Sequence, residues 1–283
     1  MVERRNAKAH ETQHFDETAF RPIDHTEIRW MAGAGFMINS RGIVIMVDPH
    51  LITIKDDPLT SEEGLEMVVD YPIKAANVPK IDAIFYTHSD ADHLGLLTAQ
   101  VLQKLNPLMI GPPPVFEKLV RSGFLPDHLQ VCRYGDKIAI GPISIEVTKA
   151  DHPWQLLNPV LYGKPFRSGD ACGYKIITAD GTVLAPGDTR LMEEHLEIKG
   201  IDVLFLDVTR DAYHLNVHGA IILANCMSEA FLIPYHYGTY NAPDSTAFSG
   251  DPEEVFCHVT DREKRERILA PGQPFCLCSG KEL

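Results

Sequence analysis

Residues 87–93 read Thr-His-Ser-Asp-Ala-Asp-His, which places four metal-competent groups, His88, Asp90, Asp92 and His93, in one short stretch. They follow directly on the apolar run from Ile81 to Thr87, whose length and composition suit a buried strand. Taking several carboxylates and imidazoles out of water together is costly unless a cation compensates them. The plainer alternative is a solvated acidic turn in which Ser89 or Asp92 caps the next helix. Three further strand-like runs end on groups of the same kind: His152 in Ala150-Asp151-His152-Pro153, Asp188 in Pro186-Gly187-Asp188-Thr189, and His236 in Pro234-Tyr235-His236-Tyr237. A lone His at a strand end is more often a hydrogen-bonded structural residue. Four such segments point to one site, because strand ends are where rigid α/β scaffolds present reactive groups.

The order and context of these segments resemble the metallo-β-lactamase superfamily, whose signature H-x-H-x-D-H here reads H-S-D-A-D-H. The resemblance implies an α/β fold, a four-layer αββα sandwich. It further implies two divalent metal ions, one on His88, Asp90 and His152, the other on Asp92, His93 and His236, with Asp188 bridging. Asp92 and Asp188 would then also be the catalytic carboxylates. Two adjacent cations lower the pKa of a shared water and polarise a carbonyl or phosphoryl oxygen, which is hydrolytic chemistry needing no serine or cysteine nucleophile. Asp90 departs from the signature by replacing a nitrogen donor with a hard oxygen. That shifts the expected metal toward Mn²⁺, with Zn²⁺ or Fe²⁺ as alternatives.

The segments Trp30–Phe36, Val47–Pro49, Asp207–Asn225 and His236–Tyr240 look like the branch containing L-ascorbate-6-phosphate lactonase. This implies a lactonase or ester hydrolase for a small metabolite, with or without a phosphate. A phosphodiesterase of cyclic-nucleotide or phospholipid type is the alternative, and a non-catalytic metal- or ligand-binding protein is a third. Around the ligands, Asp48 is a candidate for orienting a ligand histidine from behind, with a simple turn-starting Asp as the other reading. His218 and Asn225 are expected in the same supporting role. Arg190, Arg210, Asp211 and His214 are candidates for binding an anionic substrate group, and Tyr237 and Tyr240 for lining the pocket. The glycines of Gly33-Ala34-Gly35 suit either a bulge or a close backbone approach.

These residues need a scaffold, and the pattern supplies one. Ile28–Ile38 and Gly42–Val47 read as a hairpin turning at Asn39–Gly42, and residues 50–80 as a long loop over one face, the kind of connection that often serves as a lid. Leu94–Leu105, Val115–Ser122 and His218–Ser228 carry helical spacing; Leu108–Gly111, Lys137–Ala150, Gly173–Thr178, Thr182–Ala185, Val203–Val208 and Phe231–Pro234 are strand-like. Residues 1–27 form a polar arm and residues 28–283 a single domain, a size at which one large core is common. The 283 residues are 45% hydrophobic and carry a net charge of -13, so no basic field exists to attract nucleic acid. Six cysteines without a CxxC pair read as reduced thiols, Cys276 and Cys278 sharing one face of a strand. No run approaches the roughly 20 apolar residues of a membrane span, and no leader-like apolar segment opens the chain. The expectation is a cytoplasmic protein with a small-molecule substrate and no membrane partner; a homo-oligomer is left open.

Overall fold

The computed structural model describes residues 6–283, so the first five residues of the expected arm lie outside the described residues. The first half of the chain builds β1 (Thr26–Trp30), β2 (Phe36–Ser40), β3 (Ile43–Val47), the hairpin of β4 (Thr53–Asp56) and β5 (Leu59–Ser61), β6 (Ala83–Phe85), α1 (Leu96–Leu102), β7 (Leu108–Gly111), α2 (Pro113–Arg121) and β8 (Leu129–Val131). The second half builds β9 (Lys137–Ile140), β10 (Ile143–Lys149), α3 (Pro159–Tyr162), β11 (Cys172–Ile177), β12 (Thr182–Ala185), α4 (Glu193–Glu197), β13 (Val203–Asp207), α5 (Asn216–Cys226), β14 (Phe231–Tyr235), α6 (Pro252–Phe256), α7 (Arg262–Arg265), β15 (Pro274–Cys278) and β16 (Lys281–Glu282).

Two mixed sheets result, ordered β16-β15-β1-β2-β3-β6-β7-β8 and β14-β13-β12-β11-β10-β9. Their inner faces meet through Phe36 stacked on Phe205 at 4.0 Å and Phe85 edge-on to Tyr174 at 5.1 Å. Helix α2 packs on β7 and β8, α5 on β13 and α7 on β14, while α4 and α6 lie against α5. This is the αββα sandwich that the resemblance implies. The central strands β6 and β13 are buried along their whole length, as their unbroken apolar runs require. Burying each large aliphatic or aromatic side chain in that seam contributes about 1.5–3 kcal/mol.

Two expectations need correction. Ile28–Ile38 is two strands, because Ala32 and Gly33 turn the chain with φ of +72° and +55°. Residues 50–80 are not a plain loop: they include the β4–β5 hairpin, Met67 bridges to Tyr240, and none of them lines the cleft beside the candidate ligands. The described part of the polar arm is docked. The N–H groups of Ala7, Ala9, Gln13 and Phe15 donate to the carbonyls of Gly250, Gly238, Pro271 and Pro72, so the arm straps four separate loops.

Candidate metal centre

Strands β6, β10, β12 and β14 deliver their successors to one end of the sandwich, and β13 adds a fifth contribution through Asp207 and His214. All of them converge on one carboxylate oxygen. Asp188 Oδ2 lies 3.0 Å from His93 Nε2, 3.5 Å from His214 Nε2, 3.6 Å from His236 Nε2, 3.8 Å from His152 Nε2 and 3.9 Å from His88 Nε2. The five imidazoles are also fastened from behind through Nδ1. His88 Nδ1 faces Thr87 Oγ1 at 3.0 Å, His93 faces Asp48 Oδ2 at 2.8 Å, His152 the Tyr213 carbonyl at 2.9 Å, His214 Asp207 Oδ2 at 2.7 Å and His236 the Ala247 carbonyl at 3.0 Å. Thr87 Oγ1 donates to Asp48, so it accepts from His88. Every Nδ1 therefore faces an acceptor and carries the ring proton, which turns an Nε2 lone pair inward on each neutral ring.

The donors fit divalent cations. Asp92, His93, Asp188 and His236 can each place one ligand atom within 4.8 Å of the others, and so can His88, His152 and Asp188. Asp90 Oδ2 stands 3.3 Å from His88 Nε2 and 3.7 Å from His152 Nε2. His88 Nε2 and Asp188 Oδ1 are buried without a hydrogen-bond partner, a costly state that a cation would relieve. The electrostatics point the same way. Burial alone would raise the Asp188 carboxyl, yet the surrounding imidazoles of His214, His93 and His236 hold it well below the usual carboxylate range. Burial opposes charge on His214 in turn, but Asp188 and Asp207 outweigh it and lift this imidazole to about 10. Burial is likewise outweighed at His93 by Asp188, Asp48 and Asp92, and at His236 by Asp188, Asp92 and Asp207, so both imidazoles are raised. The cluster draws positive charge, which protons or metal ions can supply.

Strain marks the same place. His236 has φ +61° at the end of β14 and Asp48 has φ +45° after β3, conformations unusual for side-chain-bearing residues. The His236 N–H donates to the Gly33 carbonyl at 3.0 Å, and a Cβ on Gly35 would sit 2.8 Å from the Asp48 carbonyl. The Gly33–Gly35 turn is thus a close backbone approach behind two site residues rather than a bulge.

Beside the centre opens a cleft of about 520 Å³, lined by the site aspartates, by Trp154, Leu157, Tyr162 and Phe248, and by Asp211, His152 and His214. Asp48, Asp211 and His214 lie at the centre or its cleft, with His214 deeper among the ligands than the sequence suggests. Arg190 does not reach the cleft; it pairs with Asp151 at the surface, where its side chain is 46% exposed. Arg210 is tied to Glu254 and Asn6. Tyr237 stacks on Trp30 at 5.4 Å inside the core, and Tyr240 is buried behind the site near Gly33. His218 is exposed on α5, where its N–H meets the Asn216 side chain, and Asn225 holds the loop at His258 and Thr260. Neither supports a ligand.

Sequence reasoning missed four contributors. Asp207 ends β13 and was a detectable strand-end carboxylate. Trp154 donates from Nε1 to Asp90 Oδ2 at 2.6 Å and follows His152-Pro153 closely. His50 and Glu62 had no readable signal, since their partners lie far along the chain: His50 Nε2 donates to the Ala91 carbonyl at 2.6 Å, and Glu62 accepts from the N–H groups of Leu97 and Thr98.

A family model described as the β-lactamase superfamily domain matches residues 57–237, a span holding every candidate ligand. The chain belongs to the β-lactamase superfamily. Over 258 residues it is 24% identical to a UPF0173 metal-dependent hydrolase of Anaeromyxobacter dehalogenans, a match covering 88% of this chain and 86% of that protein. The metallo-β-lactamase fold is shared with an isothiocyanate hydrolase from Delia radicum gut bacteria, at a TM-score of 0.67 and 18% identity over 89% of this chain and 99% of that one. It is shared too with a metallo hydrolase from the archaeon Ignicoccus hospitalis, at a TM-score of 0.65 and 18% identity over 89% and 98% of the two chains. Among the described residues of this superfamily member, no helix is long and apolar enough to cross a membrane.

Proposed function

We propose that this chain is a metal-dependent hydrolase that opens an ester or lactone bond in a small molecule. The observation carrying the reading is the convergence of five outward-anchored imidazoles on one Asp188 oxygen. His88, Asp90 and His152 would hold one divalent cation and Asp92, His93 and His236 a second, with Asp188 between them. Bound cations supply Lewis acidity and a water of lowered pKa.

The chain's own residues do the rest. Asp92 lines the cleft and is placed to take a proton from the attacking water as its oxygen bonds to the acyl carbon. His214 also lines the cleft, and its anchoring to Asp207 keeps a proton at Nε2 for the departing alkoxide as the acyl C–O bond breaks. Water is consumed, and an acid and an alcohol result. The hard oxygen of Asp90 favours Mn²⁺ over Zn²⁺ or Fe²⁺.

The test is metal analysis of protein purified without added metal, followed by lactone, ester and phosphodiester panels after reconstitution with Mn²⁺, Zn²⁺ or Fe²⁺. His88→Ala and Asp188→Ala should lose bound metal and turnover together, and unchanged metal content in both would overturn the ligand set. Asp90→His should retain relatively more Zn²⁺. Turnover confined to phosphodiesters would favour the phosphodiesterase reading instead.

A further inference from the structure

Resting on that hydrolase reading, the cleft wall and the segment above it point further. Five aspartates line the cleft, Asp90, Asp92, Asp188, Asp211 and Asp244, and among the described lining residues none is Lys or Arg. Two divalent cations would not exceed that negative charge. The nearest arginines of the sequence motif are engaged elsewhere, Arg190 with Asp151 and Arg210 with Glu254. An anionic substituent lying beyond the metal ions and His214 would meet no Lys or Arg of the described lining, at a desolvation cost that pairing normally offsets.

The outer wall has the opposite character. Trp154, Leu157 and Tyr162 line it, and the same short segment, running into α3, exposes Leu156 by 48%, Leu157 by 60%, Val160 by 98%, Leu161 by 69% and Tyr162 by 44%. Apolar side chains concentrated at the mouth of a cleft mark a surface that something covers. The apolar face is continuous with the metal-facing floor, so one molecule can touch both.

We infer that the substrate is an uncharged ester or lactone carrying an aliphatic or aromatic substituent, which lies under the 154–162 segment while its carbonyl faces Asp188. A phosphorylated substrate does not fit this lining.

The metal-loaded enzyme can be tested with two probe series. Straight-chain p-nitrophenyl esters from acetate to octanoate measure kcat/KM. Straight-chain alkanamides, neutral and resistant to rapid cleavage, are titrated against intrinsic fluorescence; of the two tryptophans, Trp154 lines the cleft and Trp30 is buried in the core. Both series should strengthen with chain length, by up to roughly three- to four-fold per CH₂. Alkyl phosphates of equal length should bind about ten-fold or more weakly. Leu157→Ser and Tyr162→Ser should flatten the chain-length dependence without changing metal content.

A flat dependence, or tighter binding of the alkyl phosphates, overturns the inference, and the hydrolase reading then stands if esters still turn over. Chain-dependent amide binding without turnover of any ester or lactone leaves a cleft for neutral apolar ligands but overturns the ester or lactone assignment together with the hydrolase reading. If the wild type is a dimer in solution and Val160→Ser/Leu161→Ser is monomeric, a second copy covers the patch and the inference fails.

Discussion

His214 donates a hydrogen bond from Nδ1–H to Asp207 Oδ2 and turns Nε2 toward both Asp188 and the open cleft. Its removal should therefore affect leaving-group protonation more than metal retention. His214→Ala is expected to lower kcat by about 10²- to 10⁴-fold. The loss should shrink for p-nitrophenyl esters, whose leaving group needs no proton; an equal loss for alkyl and p-nitrophenyl esters would count against the role. Asp48 acts one bond further out, through His93. Asp48→Asn should weaken metal binding about 10- to 100-fold, measured by competition with a chromophoric chelator, because ligand orientation depends on such partners. At this scale the sequence led to a set of candidate ligands that the fold brings together, and it was poor about which side chains line the cleft. His88 to His93 announce themselves by density, whereas Arg190 and Arg210 looked equally available until Asp151 and Glu254 were seen to occupy them.

Among the elements, α1 shows how a distant segment can complete a local structure. Its N-cap, Gly95, contributes no side chain, and Glu62 from beyond the β4–β5 hairpin accepts from Leu97 N–H, Thr98 N–H and Thr98 Oγ1 instead. A Cβ at Gly95 would overlap Glu62 Oε1 and lie 2.8 Å from His50 Nε2, so glycine is what admits both groups. Glu62→Ala leaves buried donors unsatisfied and should cost about 1–3 kcal/mol in denaturant unfolding. If the ligand loop is steadied through this helix, metal affinity should fall as well; unchanged affinity would confine Glu62 to a stabilising role. Nothing local in the 50–80 stretch announces this cap, because its meaning depends on a helix more than thirty residues away. Strands β6, β10, β12 and β14 were legible for the opposite reason, since an apolar run followed by a ligand is a local pattern. The split of Ile28–Ile38 was not, since Ala32 gives no sign of a positive φ.

For the molecule as a whole, the raised imidazoles and depressed carboxylates make stability depend on pH and metal together. Without metal, His93, His214 and His236 have folded-state pKa values above the unfolded value of about 6.5. Their contribution is fully present below that value and is lost as pH rises, for His214 through about 10. Asp188 is depressed, so its contribution is present above the ordinary carboxylate range and is lost on acidification. Chelated protein should therefore lose thermal stability between pH 6.5 and 10, whereas metal-loaded protein should change less, because the cations replace the protons on the candidate ligands His93 and His236 while His214 keeps its own. Metal uptake at pH 8 in weak buffer should release protons. Calorimetry across that range would refute the account if chelated and loaded proteins shared one pH profile.

The distance along the chain between the first and last ligands also sets a clock. His88 and His93 leave the ribosome well before His236, about 150 residues later, which at 5–20 residues per second is roughly 7–30 s. Throughout that interval the nascent chain holds His88, Asp90, Asp92 and His93 at the rim of a half-built sandwich, with the β12, β13 and β14 edge of the second sheet still to come. Ions captured early would meet an open, exchangeable set of donors. If the candidate ligands hold cations as proposed, the complete cage would form only as the last of these strands docks, so metal choice would be made late in the life of the nascent chain.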